Sequence, residues 1–186
     1  RERFGLSAFR PLHREAIEEL LEGRQRVVLI APTGGGKTLC YQLPAAVLDG
    51  TSIVVSPLIA LMEDQVRALT ERGVPATYLA SSLDPGELRA REASIREGRF
   101  QLVYVAPERR ESGRVVELLS ELNPPLVAID EAHCISQWGH DFRPSYLRLG
   151  EVIGRLKPPR LLACTATATP IVRAEIQERL GLGSER

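Results

Sequence analysis

Short apolar runs recur along this chain, each separated from the next by a stretch of helical spacing. The runs are Val27–Ala31, Ser52–Ser56, Thr77–Leu79, Leu102–Ala106, Leu126–Ile129 and Leu161–Cys164. They are nearly continuous in apolar residues, as strands covered on both faces should be. Leu58–Arg72, Asp84–Glu97 and Ser112–Leu122 read as helices between them, and Arg10–Glu22 as a helix before the first. In the Leu58–Arg72 stretch, Leu58, Leu61, Met62, Val66 and Leu69 fall on one helix face. Asp84 and Pro85 form a helix start, with Asp84 as N-cap and Pro85 in the first turn. Gly73 and Gly98 are expected C-terminal stops. Strands alternating with helices of this length predict right-handed crossovers and a mostly parallel α/β sheet with helices on both faces.

The first run leads into Ala31-Pro32-Thr33-Gly34-Gly35-Gly36-Lys37-Thr38. A buried strand, glycines and then Gly-Lys-Thr is the sequence form of a phosphate-binding loop, the P-loop. Glycines let successive backbone N–H groups curl around a phosphate. The helix that follows turns its positive end to the same anion. Lys37 is placed to reach the β- and γ-phosphates, and the Thr38 hydroxyl to ligate Mg²⁺. The pattern has one irregularity: its first position is Ala31 rather than Gly. A Gly-rich turn in some other α/β domain is the competing reading, and the order of strand, glycines, Lys and Thr disfavours it.

Composition narrows the class. The chain has 186 residues, 44% hydrophobic and 26% charged, enough for one ordinary α/β domain. No apolar run approaches the roughly 18 residues that cross a bilayer, and the N-terminus lacks a signal-peptide profile. Cys40, Cys134 and Cys164 are far apart, without Cys-x-x-Cys spacing, which fits a reducing cytoplasm. Formal net charge is zero, which argues against a domain-wide basic surface but leaves room for a local nucleic-acid track.

A second motif follows the run Leu126–Ile129: Asp130-Glu131-Ala132-His133. Two carboxylates at the C-terminal end of a parallel strand lie where ligands of open α/β sheets bind. In ATPases of this pattern the first acid helps to hold Mg²⁺ and the second polarises the attacking water. A solvated Asp-Glu turn is the alternative, and the phosphate loop upstream disfavours it.

With both motifs in hand, the sequence resembles the superfamily-two helicases, and within them the RecQ family. Thr33 to Pro44, with its Cys40-Tyr41-Gln42, resembles motif I of that family, and Val54 to Val66 resembles motif Ia. Tyr104 to Arg109 resembles a DNA-contacting segment, and Ala163 to Ala168 motif III. The most specific match is Ala132 to Tyr146, similar to the aromatic-rich loop that marks RecQ helicases. The resemblance implies a RecA-like P-loop domain over 1–186, ATP with Mg²⁺, and translocation 3′ to 5′ on single-stranded DNA with duplex unwinding. Catalytic roles fall on Lys37, Asp130 and Glu131. Nucleotide binding falls on Arg10, His13, Thr33, Gly34, Gly35, Gly36, Lys37, Thr38 and Asp130, and Mg²⁺ on Thr38 and Asp130. DNA contact or coupling falls on Ser56, Pro57, Ser81, His133, Gln137, Trp138, His140, Phe142, Arg143, Thr165 and Thr167. Partners implied are single-stranded and junction DNA, no membrane, and a second RecA-like domain in a parent chain. The compartment implied is cytoplasmic, nucleoid-associated in a bacterium.

Several of these residues also have a plain reading. Trp138, Phe142 and Tyr146 are spaced by four, as a core stripe on a helix would be. Gly139 and Pro144 argue against a long helix there. Aromatics interleaved with His140 and Arg143 suit stacking on bases and contact with phosphates. For Tyr146 core packing is as good a reading. His133 is either a locally satisfied side chain or a link between nucleotide and DNA sites. Thr165 and Thr167 are either a polar strand end or hydroxyls in that link.

The chain departs from the family in two places. Leu6 stands where the family usually has an aromatic residue, and His13 where it has Gln. A Gln offers a donor and an acceptor side by side to adenine, whereas the two imidazole nitrogens point apart. Residues 1–24 therefore read as an adenine-contact segment with weakened selectivity. Motifs IV to VI of a second motor domain are missing, so the pattern is that of a first motor domain alone. A nucleotide-responsive binding module without motor activity is the second reading. A small-molecule kinase is the third, and it does not account for motif Ia or the aromatic loop.

Overall fold

The structure is a computed structural model that describes residues 11–22, 25–32, 34–108 and 113–182. Six parallel strands form one sheet: β1 (Arg26–Ile30), β2 (Ser52–Val55), β3 (Ala76–Leu79), β4 (Leu102–Val105), β5 (Val127–Ile129) and β6 (Leu161–Thr165). Their order across the sheet is β1-β6-β5-β2-β4-β3. The connecting helices are α1 (Pro11–Leu21), α2 (Leu39–Val47), α3 (Ile59–Glu71), α4 (Pro85–Arg96), α5 (Gly113–Glu121), α6 (Leu149–Leu156) and α7 (Pro170–Leu180). Among the described residues no helix is long and apolar enough to cross a membrane.

The near-continuous apolar strands are explained by the two cores. Val54, Leu102, Tyr104, Ala128, Leu162 and Cys164 turn to one face, under α1, α2 and α3. Ile53, Val55, Val103, Val105, Val127, Ile129, Leu161 and Ala163 turn to the other, with α5, α6 and α7. The period of two thus distributes every strand between both layers.

The helix ends follow the sequence chemistry. The Asp84 carboxylate accepts from Gly86 N–H at 2.7 Å and Glu87 N–H at 2.9 Å, capping α4. Gly73 and Gly98 take positive φ just past α3 and α4. The apolar stripe of α3 needs correction. Met62 and Leu69 are buried, but Leu58 and Leu61 are exposed. Leu58 is the N-cap, still extended, so the helix begins at Ile59 and the inward face runs Ile59, Met62, Val66, Leu69.

The strand order places β1, β6, β5 and β2 together, so their C-terminal ends bring Ala31, Thr165, Asp130 and Ser56 to one rim of the sheet. The candidate chemistry gathers there.

Candidate nucleotide site and nucleic-acid loop

The loop after β1 is built by glycine geometry. Gly34 and Gly36 have φ of 73° and 79°, a region that side chains disfavour. A Cβ at Gly35 would come within 2.6 Å of the Pro32 carbonyl oxygen. Gly35 N–H donates to that oxygen at 2.8 Å and tightens the turn. Ala31 is buried and keeps ordinary negative φ, so its methyl group costs nothing there. Lys37 Nζ donates to Ala31 O at 2.9 Å and to Pro32 O at 3.2 Å, which folds its ammonium over the loop. Thr38 precedes α2 directly. His13, only 6% exposed, lies against the loop: a Cβ on Gly36 would meet its Cε1 at 2.7 Å. Arg10, Thr33, Leu6 and Arg109 lie outside the described residues.

Asp130 and Glu131 sit across from this loop. Asp130 is 7% exposed, and its Oδ1 accepts from Glu131 N–H at 3.0 Å. Burial first, and the Glu131 charge second, raise the Asp130 pKa to about 6 from 3.8, against a lowering by Lys37. Glu131 takes a left-handed φ of 49°, a strained backbone at the start of the turn Ala132–Ile135. A cation-binding carboxylate, a threonine hydroxyl after the loop and a lysine on the same rim fit Mg²⁺ with a polyphosphate.

The raised pKa has a testable consequence. A carboxyl whose folded pKa lies above its unfolded one favours the fold below the unfolded value and loses that contribution as pH rises through about 6. Above that pH Asp130 is a buried charge. Asp130→Asn should therefore raise Tm of the nucleotide-free chain near pH ~8, by at most ~3 kcal/mol of stability, and change it little near pH ~4. Equal changes in melts at both pH values would contradict the assignment.

His133 joins these carboxylates to the next strand and loop. Its Nδ1 lies 2.9 Å from Thr165 Oγ1 and 3.3 Å from Glu131 Oε2. Thr165 Oγ1 donates to Thr167 O at 3.0 Å, so its lone pairs face His133. That assigns the imidazole proton to Nδ1. Burial lowers the His133 pKa, which keeps the ring neutral near pH 7, with the Glu131 charge opposing. The outer face of this ring stacks on His140, with centroids 4.6 Å apart and planes 14° apart. His133 and Thr165 are thus part of one buried contact set, which Thr167 joins only through its backbone carbonyl, its side chain being exposed rather than a hydroxyl in the link.

The segment from Gln137 to Arg143 is irregular, with no helix through Trp138, Phe142 and Tyr146. Trp138 is 76% exposed, which removes the core reading for it. Tyr146 is buried and donates to Asp130 O at 3.1 Å, so it packs in the core beneath the carboxylates. Phe142 is half-buried, and Gln137 and His140 are exposed. Arg143 pairs with Asp141 at 3.2 Å and reaches Pro57 O at 3.5 Å, linking the loop to the end of β2. Ser81 is exposed and donates to Glu108 at 3.2 Å. Ser56 is the exception among the expected DNA contacts: it is 2% exposed and offers no hydroxyl surface in this structure. It ends a strand buried on both faces, and its N–H is spent on Val105 O.

Trp138→Ala tests the exposed reading. Removing so open a ring should leave Tm within about 2 °C, since surface changes usually stay within about 0.5 kcal/mol. Affinity for an oligothymidylate should fall by about 1–3 kcal/mol, the worth of one base stacked on an aromatic side chain. A broad or strongly lowered melt would return Trp138 to the core.

One residue set was not legible in the motifs' order. Gln42 is buried on α2, donates to Tyr104 Oη at 3.0 Å and bonds Gln65 on α3. Tyr41 meets the same Tyr104 ring edge-on at 6.3 Å. The helix that follows the phosphate loop and the helix that carries motif Ia are therefore cross-linked inside the core.

A strand-loop-helix phosphate cradle facing two carboxylates on a parallel sheet defines a P-loop nucleotide-binding domain. The sequence matches the DEAD/DEAH box helicase family over residues 10–175, and the chain belongs to that family. Within it, the chain is 48% identical over 183 residues to an ATP-dependent DNA helicase RecQ of Bacillus subtilis, covering 98% of this chain and 31% of that protein. It is 44% identical over 180 residues to the probable ATP-dependent DNA helicase RecS of the same organism, covering 96% of this chain and 36% of that one. The chain thus spans about a third of the length of these curated relatives. Among solved structures, a hypothetical ATP-dependent RNA helicase from Sulfolobus tokodaii superimposes with a TM-score of 0.72 at 20% identity, covering 96% of this chain and 52% of that one. The helicase MrfA bound to DNA gives 0.73 at 20% identity, over 96% of this chain and 27% of that one. At such identities these structures establish the fold alone, the RecA-like helicase sheet.

Proposed function

We propose that this chain is the first motor domain of a RecQ-like, ATP-dependent DNA helicase. The parent would move 3′ to 5′ on single-stranded DNA and unwind duplexes, junctions included. The observation that carries the reading is the unbroken contact path from Glu131 through His133 to His140, beside the exposed Trp138. A binding module has no need to join a water-polarising carboxylate to an aromatic loop.

In this reading Gly34, Gly35, Gly36, Lys37 and Thr38 hold the triphosphate, with Thr33 and Arg10 completing the site. Thr38 and Asp130 would hold Mg²⁺, which neutralises phosphate charge when bound. Glu131 orients and deprotonates the attacking water. His133 Nδ1, bonded to Thr165, lies 3.3 Å from the Glu131 carboxylate, and a base seated on the loop biases that contact through His140. Trp138, Phe142, Arg143 and Gln137 contact the strand, with Pro57 and Ser81 beside them. The compartment proposed is that of the DNA, the cytoplasm or nucleoid of a bacterium.

The test is strand displacement by the parent chain on duplexes with one single-stranded tail. ATP-dependent displacement from a 3′ tail, and none from a 5′ tail, is expected. ATP hydrolysis without displacement from either tail favours the binding-module reading.

His13 gives a second handle. It packs on the loop rather than presenting a paired donor and acceptor, so base selectivity should be weak. ATP and GTP should support turnover with kcat/KM within about tenfold, since a lost bidentate pair is worth about 1–3 kcal/mol. His13→Gln should widen the gap. A wild-type preference for ATP of about two orders of magnitude or more would contradict this.

A further inference from the structure

The aromatic loop is held from a second side, by a residue outside every motif. Glu175 lies on α7, the helix that follows β6 and the Thr165–Thr167 segment. Its Oε2 accepts from Ser136 Oγ at 2.6 Å. Ser136 Oγ in turn accepts from Trp138 N–H at 3.1 Å. The other Glu175 oxygen accepts from Arg179 Nε at 2.9 Å. Ser136 is wholly buried and the Glu175 carboxylate half-buried, so this is a short, partly shielded O–H···O⁻ bond, charge-assisted and of the strong kind. Ser136 directly, and Trp138 through the Ser136 hydroxyl, are thus tied to a single carboxylate.

The turn beyond them is equally close. Gly139 N–H donates to Ser136 O at 3.1 Å. A Cβ at Gly139 would meet His133 O at 2.7 Å. The backbone therefore folds tightly back over the end of Ala132–Ile135, and Trp138 projects from its crest. The hydrogen bond from Ser136 is the main reason that the Glu175 pKa is lowered, which keeps the acceptor ionised.

We propose that Glu175 is the positioning residue that fixes Trp138 in its exposed pose, ready to stack on a base. Its tether runs to α7, so the loop is joined to the segment after β6 independently of the His133–Thr165 bond. The proposal rests on the DNA-contact reading of the loop only for its functional consequence. The tether itself is testable without DNA.

Trp138 is the only tryptophan in the 186 residues, so its fluorescence anisotropy reports the pose directly in this chain. Glu175→Ala should lower the anisotropy, with circular dichroism showing the helices intact. Ser136→Ala should lower it as well, and the double variant should fall no further, because both remove one tether. Glu175→Gln keeps an acceptor for Ser136 and should recover part of the signal. Arg179→Ala removes the half-buried ion pair and some lining of the cavity beside Trp138 but leaves the Ser136 bond in place, so it should lower the anisotropy less than Glu175→Ala. Unchanged anisotropy in Glu175→Ala, or an equal loss in Arg179→Ala, overturns the proposal. If Glu175→Ala does not fold, the same comparison is made with Ser136→Ala against Arg179→Ala, and equal signals overturn it.

A second arm measures binding of an oligothymidylate and of an ATP analogue. Glu175→Ala should weaken the oligonucleotide roughly tenfold, the scale of one charge-assisted hydrogen bond, and leave the analogue unchanged. Equal oligonucleotide affinity in wild type and variant overturns the positioning role. No oligonucleotide binding by wild type, with the anisotropy changes present, leaves the tether standing and removes the DNA reading instead.

Discussion

Glu131→Gln, tested in the longer two-domain helicase proposed above, is expected to lower ATP turnover by roughly 10² to 10⁴ with nucleotide binding nearly intact. The amide is almost isosteric with the carboxylate but cannot take a proton from water. The position tolerates the swap: Glu131 is part-exposed, its backbone pose is set by φ of 49°, and its contact with His133 Nδ1 at 3.3 Å is not the bond that holds the ring, which is the one to Thr165. Steady-state hydrolysis and equilibrium binding of an ATP analogue separate the two effects. Lost binding with lost turnover would make Glu131 a structural residue. Retained turnover would move the general base elsewhere.

The chain alone should hydrolyse ATP slowly, roughly 10³ to 10⁵ below a complete motor. Its motifs supply a lysine, a threonine and two carboxylates, but no arginine to the transferring phosphate, and an arginine finger is worth about that factor. The relatives that it matches are about three times as long, which leaves room for the missing donor. Single-turnover hydrolysis by the 186-residue chain, compared with the parent, measures the factor. Turnover by the chain at a normal helicase rate, stimulated by single-stranded DNA, would show that one domain holds the whole machinery.

The layered α/β fold was legible because both devices that encode it are local. Apolar runs with no polar alternation mean two covered faces, and Asp84-Pro85, Gly73 and Gly98 punctuate the helices by side-chain and backbone chemistry. The phosphate loop was legible for the same reason, since glycines, Lys37 and Thr38 are contiguous. What was not legible depends on register or on distant partners. Leu58 looked like part of an apolar stripe, but one residue of difference in the helix start turns it outward. Ser56 was expected to face nucleic acid by resemblance, but burial of the strand on both faces closes over it. The stacking of His133 on His140 and the Glu175–Ser136 bond join residues that no spacing rule relates; 39 positions separate the latter pair. Trp138 could be placed outside the core only once the loop's path was known, because spacing by four fits a helix as well.

These links share one premise: occupancy of the loop by a strand is felt at Glu131. The measurement that tests it most directly is the rate of ATP hydrolysis by the parent chain with and without single-stranded DNA, at saturating ATP. Strong stimulation by single-stranded DNA that Trp138→Ala greatly reduces, at unchanged ATP-analogue affinity, is the expected result. Hydrolysis that is indifferent to DNA, or stimulation that survives Trp138→Ala in full, would contradict it.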